Sequence, residues 1–84
     1  MNFSVIWMPD AEEALAEIWL QADDRAAIVA AGDRLDRSLT RDPFGVSESR
    51  TGASRIVFAP PLAALFDADR KARTVRVTSV WTIR

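Results

Sequence analysis

Three features of the chain predict an α+β fold, a helical hairpin packed on a small, mainly antiparallel sheet in the order β-α-α-β-β-β. An apolar, β-favouring run at residues 3–8 opens the chain and stops at Pro9. Two stretches of helical periodicity then fill the interval between Pro9 and Pro43, parted only by Ala22, Asp23 and Asp24. Three β-like runs complete the chain at residues 54–59, 62–67 and 74–83.

Residues 3–8 alternate little, as expected of a strand lying against helices. In the first helix, Ala11, Ala14, Leu15, Ile18, Trp19 and Ala22 recur at helical spacing and make one apolar stripe. Asp10 followed by Glu13 matches a capping box and places the helix start there. Asp23 and Asp24 supply a second cap, after which Ala27, Ile28, Ala31, Leu35 and Leu39 keep the helical period as far as Asp42-Pro43. So short a joint makes the two helices an antiparallel hairpin. Ala26, Ala27, Ala30, Ala31 and Gly32 favour close approach to a neighbour, and a packing reason is expected for Gly32 because mid-helix glycine costs roughly 1 kcal/mol relative to alanine.

Residues 43–52, with a proline, two glycines and three hydroxyls, read as an exposed loop. The three β runs form a meander through Pro60-Pro61 and the polar turn at residues 68–72. In the last run Val75, Val77, Ser79 and Trp81 share one face, expected to meet the helices, while Arg76, Thr78, Val80 and Thr82 share the other. With Ile56 and Phe58 pointing inward, Arg55 and Val57 point away from the core.

The 84 residues leave room for one domain, spanning 1–84. Cysteine is absent, which removes disulfides and thiolate metal sites and directs the expectation to the cytoplasm. The first eight residues read as a strand rather than a signal peptide, and no run suits a membrane span. Histidine and tyrosine are also absent, so the usual imidazole and phenol proton carriers are missing. Net charge is −1, unevenly spread: residues 1–42 carry four arginines against nine acids, residues 43–84 seven bases against three. The basic half suits a polyanion, but the total is far from that of an independent nucleic-acid binder, and solvated acidic helices explain the other half equally well.

The chain resembles the RelE/ParE toxin superfamily, the type II toxin–antitoxin and plasmid-stabilisation group, over nearly its whole length. The likeness rests on the element order and on residues 7–15 (WMPDAEEAL), 39–45 (LTRDPFG) and 75–81 (VRVTSVW). It implies a bacterial toxin, silenced by a cognate antitoxin, that acts on ribosome-bound mRNA as an endoribonuclease or on DNA gyrase as a poison. In the nuclease branch, basic residues on the sheet hold the scissile phosphate and a carboxylate, histidine or tyrosine assists proton transfer. Here Arg55 takes the place of a phosphate-binding base, but its outward neighbour is Val57, where another base often occurs. The central strand reads LAALF at 62–66 without the family's arginine, and the end reads WTIR at 81–84, leaving Arg84 alone of the late basic and aromatic positions.

Arg50, Arg55, Arg73, Arg76 and Arg84 are the residues suited to nucleic-acid binding. Arg55, Arg76 and Arg73, on neighbouring or near-neighbouring strands of one sheet, are the set that would cradle a phosphate; the plain alternative is solvated sheet arginines or partners of antitoxin acids. Glu48 is a candidate general base, though a loop carboxylate is more often merely exposed. Trp7, Trp19 and Trp81 are assigned to the core rather than to base stacking. Nothing implies a cofactor or a metal; Asp33 and Asp36 lie on a helix face where nothing converges. Three functions stay open: a toxin with a ribosomal or gyrase target, a degenerate protein-interaction domain that binds another chain or forms a homodimer, and a nuclease relying on arginine alone.

Overall fold

The computed structural model describes residues 2–50 and 52–83. Chain order is β1 (Ser4–Trp7), α1 (Pro9–Gln21), α2 (Arg25–Arg41), β2 (Ser47–Ser49), β3 (Ser54–Ala59), β4 (Leu62–Asp69) and β5 (Thr74–Thr82). The strands form a five-stranded sheet ordered β1-β5-β4-β3-β2, in which β1 runs parallel to β5 and the other pairs are antiparallel. The α+β class, the hairpin and the meander are as the sequence predicts. The fifth strand is not: β2 lies inside the stretch read as a loop, too short for periodicity to reveal it.

Both helices pack on one face of the sheet. Ala11 of α1 and Ile28, Ala31, Leu35 and Leu39 of α2 meet Val57, Leu62, Phe66, Val75 and Val77 in the main core. The apolar stripe of α2 is therefore the predicted one. Its start is also as expected, since the Asp24 carboxylate accepts from the Ala27 amide at 3.1 Å. Asp24→Ala removes this N-cap and is expected to lower stability by about 1 kcal/mol, measurable as a shift of the urea midpoint at unchanged slope.

The start of α1 differs. Met8 occupies the N-cap, with no side-chain cap bond, and Pro9 is already helical. Proline suits this position because its missing N–H is one the helix would leave unpaired anyway, so the Asp10–Glu13 capping box does not form and the two acids sit in the helix itself. At the other end of α1, Arg25 donates from Nε to the Trp19 carbonyl and from Nη2 to the Leu20 carbonyl, both at 3.0 Å, satisfying acceptors that the helix terminus leaves open.

Two strand faces depart from the expected alternation. On β3, Val57 and Ala59 join the helix-side core, which places Ile56 and Phe58 on the uncovered face and Arg55 on the helix side. On β5, Val77 pairs with Phe66 but Ser79 pairs with Leu65, so Thr78 is an extra residue in the ladder. Its hydroxyl donates to the Leu65 carbonyl at 3.2 Å. Such a bulge reverses the alternation beyond it: Val75, Val77 and Val80 are buried together, and Ser79 turns out to solvent. Trp81 lies half-buried on the uncovered face, paired with Ala63. No helix among the described residues is long and apolar enough to cross a membrane.

Candidate functional site

The arginines expected to act together are separated by the pleat. Paired residues of adjacent strands share a face, and the row Ser49–Arg55–Phe66–Val77–Trp7 faces the helices. Ser54–Asp67–Arg76–Ile6 is the next row and faces away. Arg55 and Arg76 thus stand on opposite sides of the sheet and do not form one phosphate cradle. Glu48 pairs with Ile56, in another outward row, and is likewise divided from Arg55. Arg50 is exposed at the end of β2, where its amide donates to the Ser54 carbonyl at 2.8 Å. Arg84 lies outside the described residues.

What does converge is a cluster of cations and phenylalanine rings at the end of the sheet where β1 begins and the β4–β5 turn closes. Phe3 and Phe44 meet edge to face with ring centroids 6.1 Å apart. Arg70 lies 3.7 Å and Arg55 5.2 Å from the centre of the Phe44 ring, and Arg73 lies 5.0 Å from that of Phe3. Cation–π attraction holds all three guanidinium groups to the aromatic pair. The backbone brings them here. The Phe3 amide donates to the Thr40 carbonyl and the Ser4 amide to the Arg73 carbonyl, both at 2.8 Å, tying β1 to the end of α2 and to the turn. Asp69 accepts from the amides of Lys71 and Ala72 at 2.9 and 3.0 Å, which shapes that turn, and Arg73 leaves it with φ of 56°, in the left-handed region.

Within this cluster Arg55 is half-buried and heavily engaged. Its Nε donates to Ser47 Oγ at 2.7 Å, Nη1 to Ser49 Oγ at 2.9 Å, and Nη2 to the carbonyls of Phe44 and Ser47 at 3.3 and 3.2 Å. Four hydrogen bonds from a group with five N–H donors leave little for a ligand. Ser47 in turn donates to the Pro43 carbonyl, and Asp42 Oδ1 accepts from the Gly45 amide at 3.0 Å. Arg55 is thus the clamp that fastens β2 and the preceding loop onto β3. Arg70 and Arg73 are stacked on the rings, and among the described residues their guanidinium groups make no side-chain hydrogen bond.

A second feature lies on the helices. α1 and α2 enclose a groove of about 840 Å³ whose walls include Leu15, Trp19, Leu20, Ile28 and Val29, with Trp7 among its lining. Trp19 is 39% exposed and Leu20 58%, so Trp19, expected in the core, stands at the surface of this groove. Ile18 and Ala22 keep this end of α1 on the core, while Trp19 faces the groove, where the stacked Arg25, 4.4 Å from the ring centre, covers one side of the indole. Trp7 is half-buried against the core as expected, and its Nε1 donates to Asp36 Oδ1 at 2.8 Å. Leu20 and Val29 were legible as apolar residues off the sheet-facing stripe. Phe3, Phe44 and Arg70 carried no comparable sequence signal, since only tertiary structure joins them.

Neither a family model nor a curated protein sequence matches the chain. Solved structures do. A chain of the toxin–antitoxin complex RelBE2 from Mycobacterium tuberculosis superposes with a TM-score of 0.81 at 17% identity, over 100% of both chains. This is the RelE/ParE fold. A chain of the chromosomal ParDE TA system from P. aeruginosa follows at a TM-score of 0.71 and 13% identity, covering 98% of this chain and 97% of that one. Identities this low show likeness of architecture, and the RelE/ParE fold extends here from the first strand to the last, including the helical hairpin that carries the groove.

Proposed function

We propose that this chain is the toxin-like component of a type II toxin–antitoxin system, held silent in the cytoplasm by a separate antitoxin protein, and that it acts by binding a target rather than by cutting RNA. The observation that carries the toxin reading is the end-to-end likeness to chains from two toxin–antitoxin assemblies. The site chemistry favours binding over cleavage. The chain has no histidine or tyrosine, Arg55 is occupied by Ser47, Ser49 and Phe44, and Arg76 and Glu48 lie across the sheet from it. General acid–base catalysis needs a donor or acceptor within hydrogen-bond reach of the scissile group, and the carboxylates described beside the Phe3–Phe44 cluster, Asp42 and Asp69, already accept from backbone amides of their own turns. DNA gyrase is the better target of the two that the resemblance names, because poisoning through a protein contact requires no proton transfer.

Induced expression in a bacterial host tests this reading. Growth arrest that is relieved by co-expressing the small gene beside this one is the expected result. Normal growth despite abundant soluble protein would instead identify a degenerate interaction domain on the same fold.

A further inference from the structure

We propose that Arg70 and Arg73, stacked on Phe44 and Phe3, form a binding site for a short chain of phosphates, of the di- or triphosphate class. The assignment does not depend on the toxin–antitoxin reading. It starts from how the two side chains are held. Arg70 lies 3.7 Å from the centre of the Phe44 ring and Arg73 5.0 Å from that of Phe3. Stacking engages the face of a guanidinium group, and the N–H donors lie around its edge. Among the described residues neither group makes a side-chain hydrogen bond, so the rings fix the position of both forks without using their donors. The turn that carries them is also fixed from within the chain. Asp69 accepts from the amides of Lys71 and Ala72 at 2.9 and 3.0 Å, the Thr74 hydroxyl donates to the Ala72 carbonyl at 3.1 Å, and Arg73 takes φ of 56°. Binding at a preformed turn orders little new backbone, which lowers the cost of association.

Charge defines the ligand. Arg55 adds a third positive group beside Phe44, although its own donors go to Ser47, Ser49 and two carbonyls, and Lys71 stands exposed in the turn. The nearby carboxylates, Asp42 and Asp69, are held by amides of their own turns. Arginine forks take phosphate oxygens through charge-assisted hydrogen bonds, and successive phosphates offer each fork its own partner.

The confined extent of the positive surface sets the length of the anion. Residues 1–42 carry nine acids against four arginines, and the whole chain has a net charge of −1. On the outward sheet face Arg76 is paired with Asp67, and Glu48 lies further across. A polynucleotide is held by cations that follow its backbone and by aromatic rings on which bases stack. Here the sign of the surface changes beside the cluster, and both rings already carry guanidinium groups. A compact anion of several charges suits this patch better. The site is also distinct from the one that the family resemblance implies. It stands where Asp69 pairs with Thr74, whereas Leu62, in the place of the family's arginine, pairs with Thr82 at the opposite end of the sheet.

The test is calorimetric titration of the full chain with sodium tripolyphosphate, with orthophosphate, and with single-stranded RNA about 12 nucleotides long, all at about 0.15 M salt. Arg70→Ala removes one fork, and Arg73→Asn removes the other with a residue that accepts a left-handed backbone; thermal melting checks that both variants fold. Tripolyphosphate is expected to bind at least ~10-fold more tightly than orthophosphate, and each substitution to weaken it about tenfold, as loss of a charge-assisted contact does. Arg76→Ala, on the other face of the sheet, is expected to leave its affinity unchanged. No binding of tripolyphosphate at about 1 mM, or an equal loss in Arg76→Ala, overturns the site. Orthophosphate bound as tightly as tripolyphosphate overturns the chain of phosphates as ligand. RNA bound more tightly than tripolyphosphate, and weakened by the same two substitutions, overturns the compact anion in favour of a polynucleotide backbone. Each of these outcomes leaves the toxin–antitoxin reading standing.

Discussion

Phe66→Ala is expected to destabilise the protein by about 3–5 kcal/mol, the range for emptying a buried aromatic site. Phe66 is completely buried in the middle of β4, between Arg55 on β3 and Val77 on β5, directly beside the bulge at Thr78. Its ring lies in the helix-side core with Leu35 and Leu39. The backbone around it cannot close the gap readily, because β4 is paired along its length with β3 on one side and β5 on the other. A chain of this size has total stability on the order of 5–10 kcal/mol, so the variant is expected to be partly unfolded at 37 °C. Chemical denaturation followed by circular dichroism measures the loss. A change below about 1 kcal/mol would contradict the packing described.

Arg55→Ala is expected to cost about 2–3 kcal/mol, from the loss of charge-assisted hydrogen bonds to partly buried acceptors. The side chain links β3 to the Ser47 and Ser49 hydroxyls and to the Phe44 and Ser47 carbonyls, so its removal releases the short edge strand first. Amide hydrogen exchange at residues 44–49 is expected to accelerate well before that of β4 and β5. Arg55→Lys is expected to recover little, since an ammonium cannot reproduce a planar fork of donors. Arg76→Ala, by contrast, alters an exposed residue on the other face and is expected to stay within about ±0.5 kcal/mol. Unchanged exchange at residues 44–49 in Arg55→Ala would remove the clamp role and return Arg55 to the ligand-binding candidates.

The helices were legible because their apolar residues repeat at 3.6 and contrast with charged neighbours: Ile28, Ala31, Leu35 and Leu39 all reach the core. The strands offered no such contrast. Ile56 and Phe58 are as apolar as Val57 and Ala59, so residue type alone does not choose the inward face of β3. The choice follows from pairing with β4, where Ala64 faces Val57 and Phe66 faces Arg55. On β5 the alternation was read correctly as far as Val77, and the bulge at Thr78 inverted the rest. The same parity error assembled a phosphate cradle from arginines that the sheet holds apart. A face assignment wrong by one residue changes the chemistry of a site completely, whereas the order of elements survives it.

The most direct measurement is transcriptome-wide mapping of message 5′ ends in cells arrested by induced expression of this chain. For a toxin that acts by binding, the ends are expected to match those of uninduced cells while growth stops. New ends at defined positions within translated codons, lost on substitution of Arg70 and Arg73, would show that the phenylalanine-stacked cations serve cleavage and would contradict it.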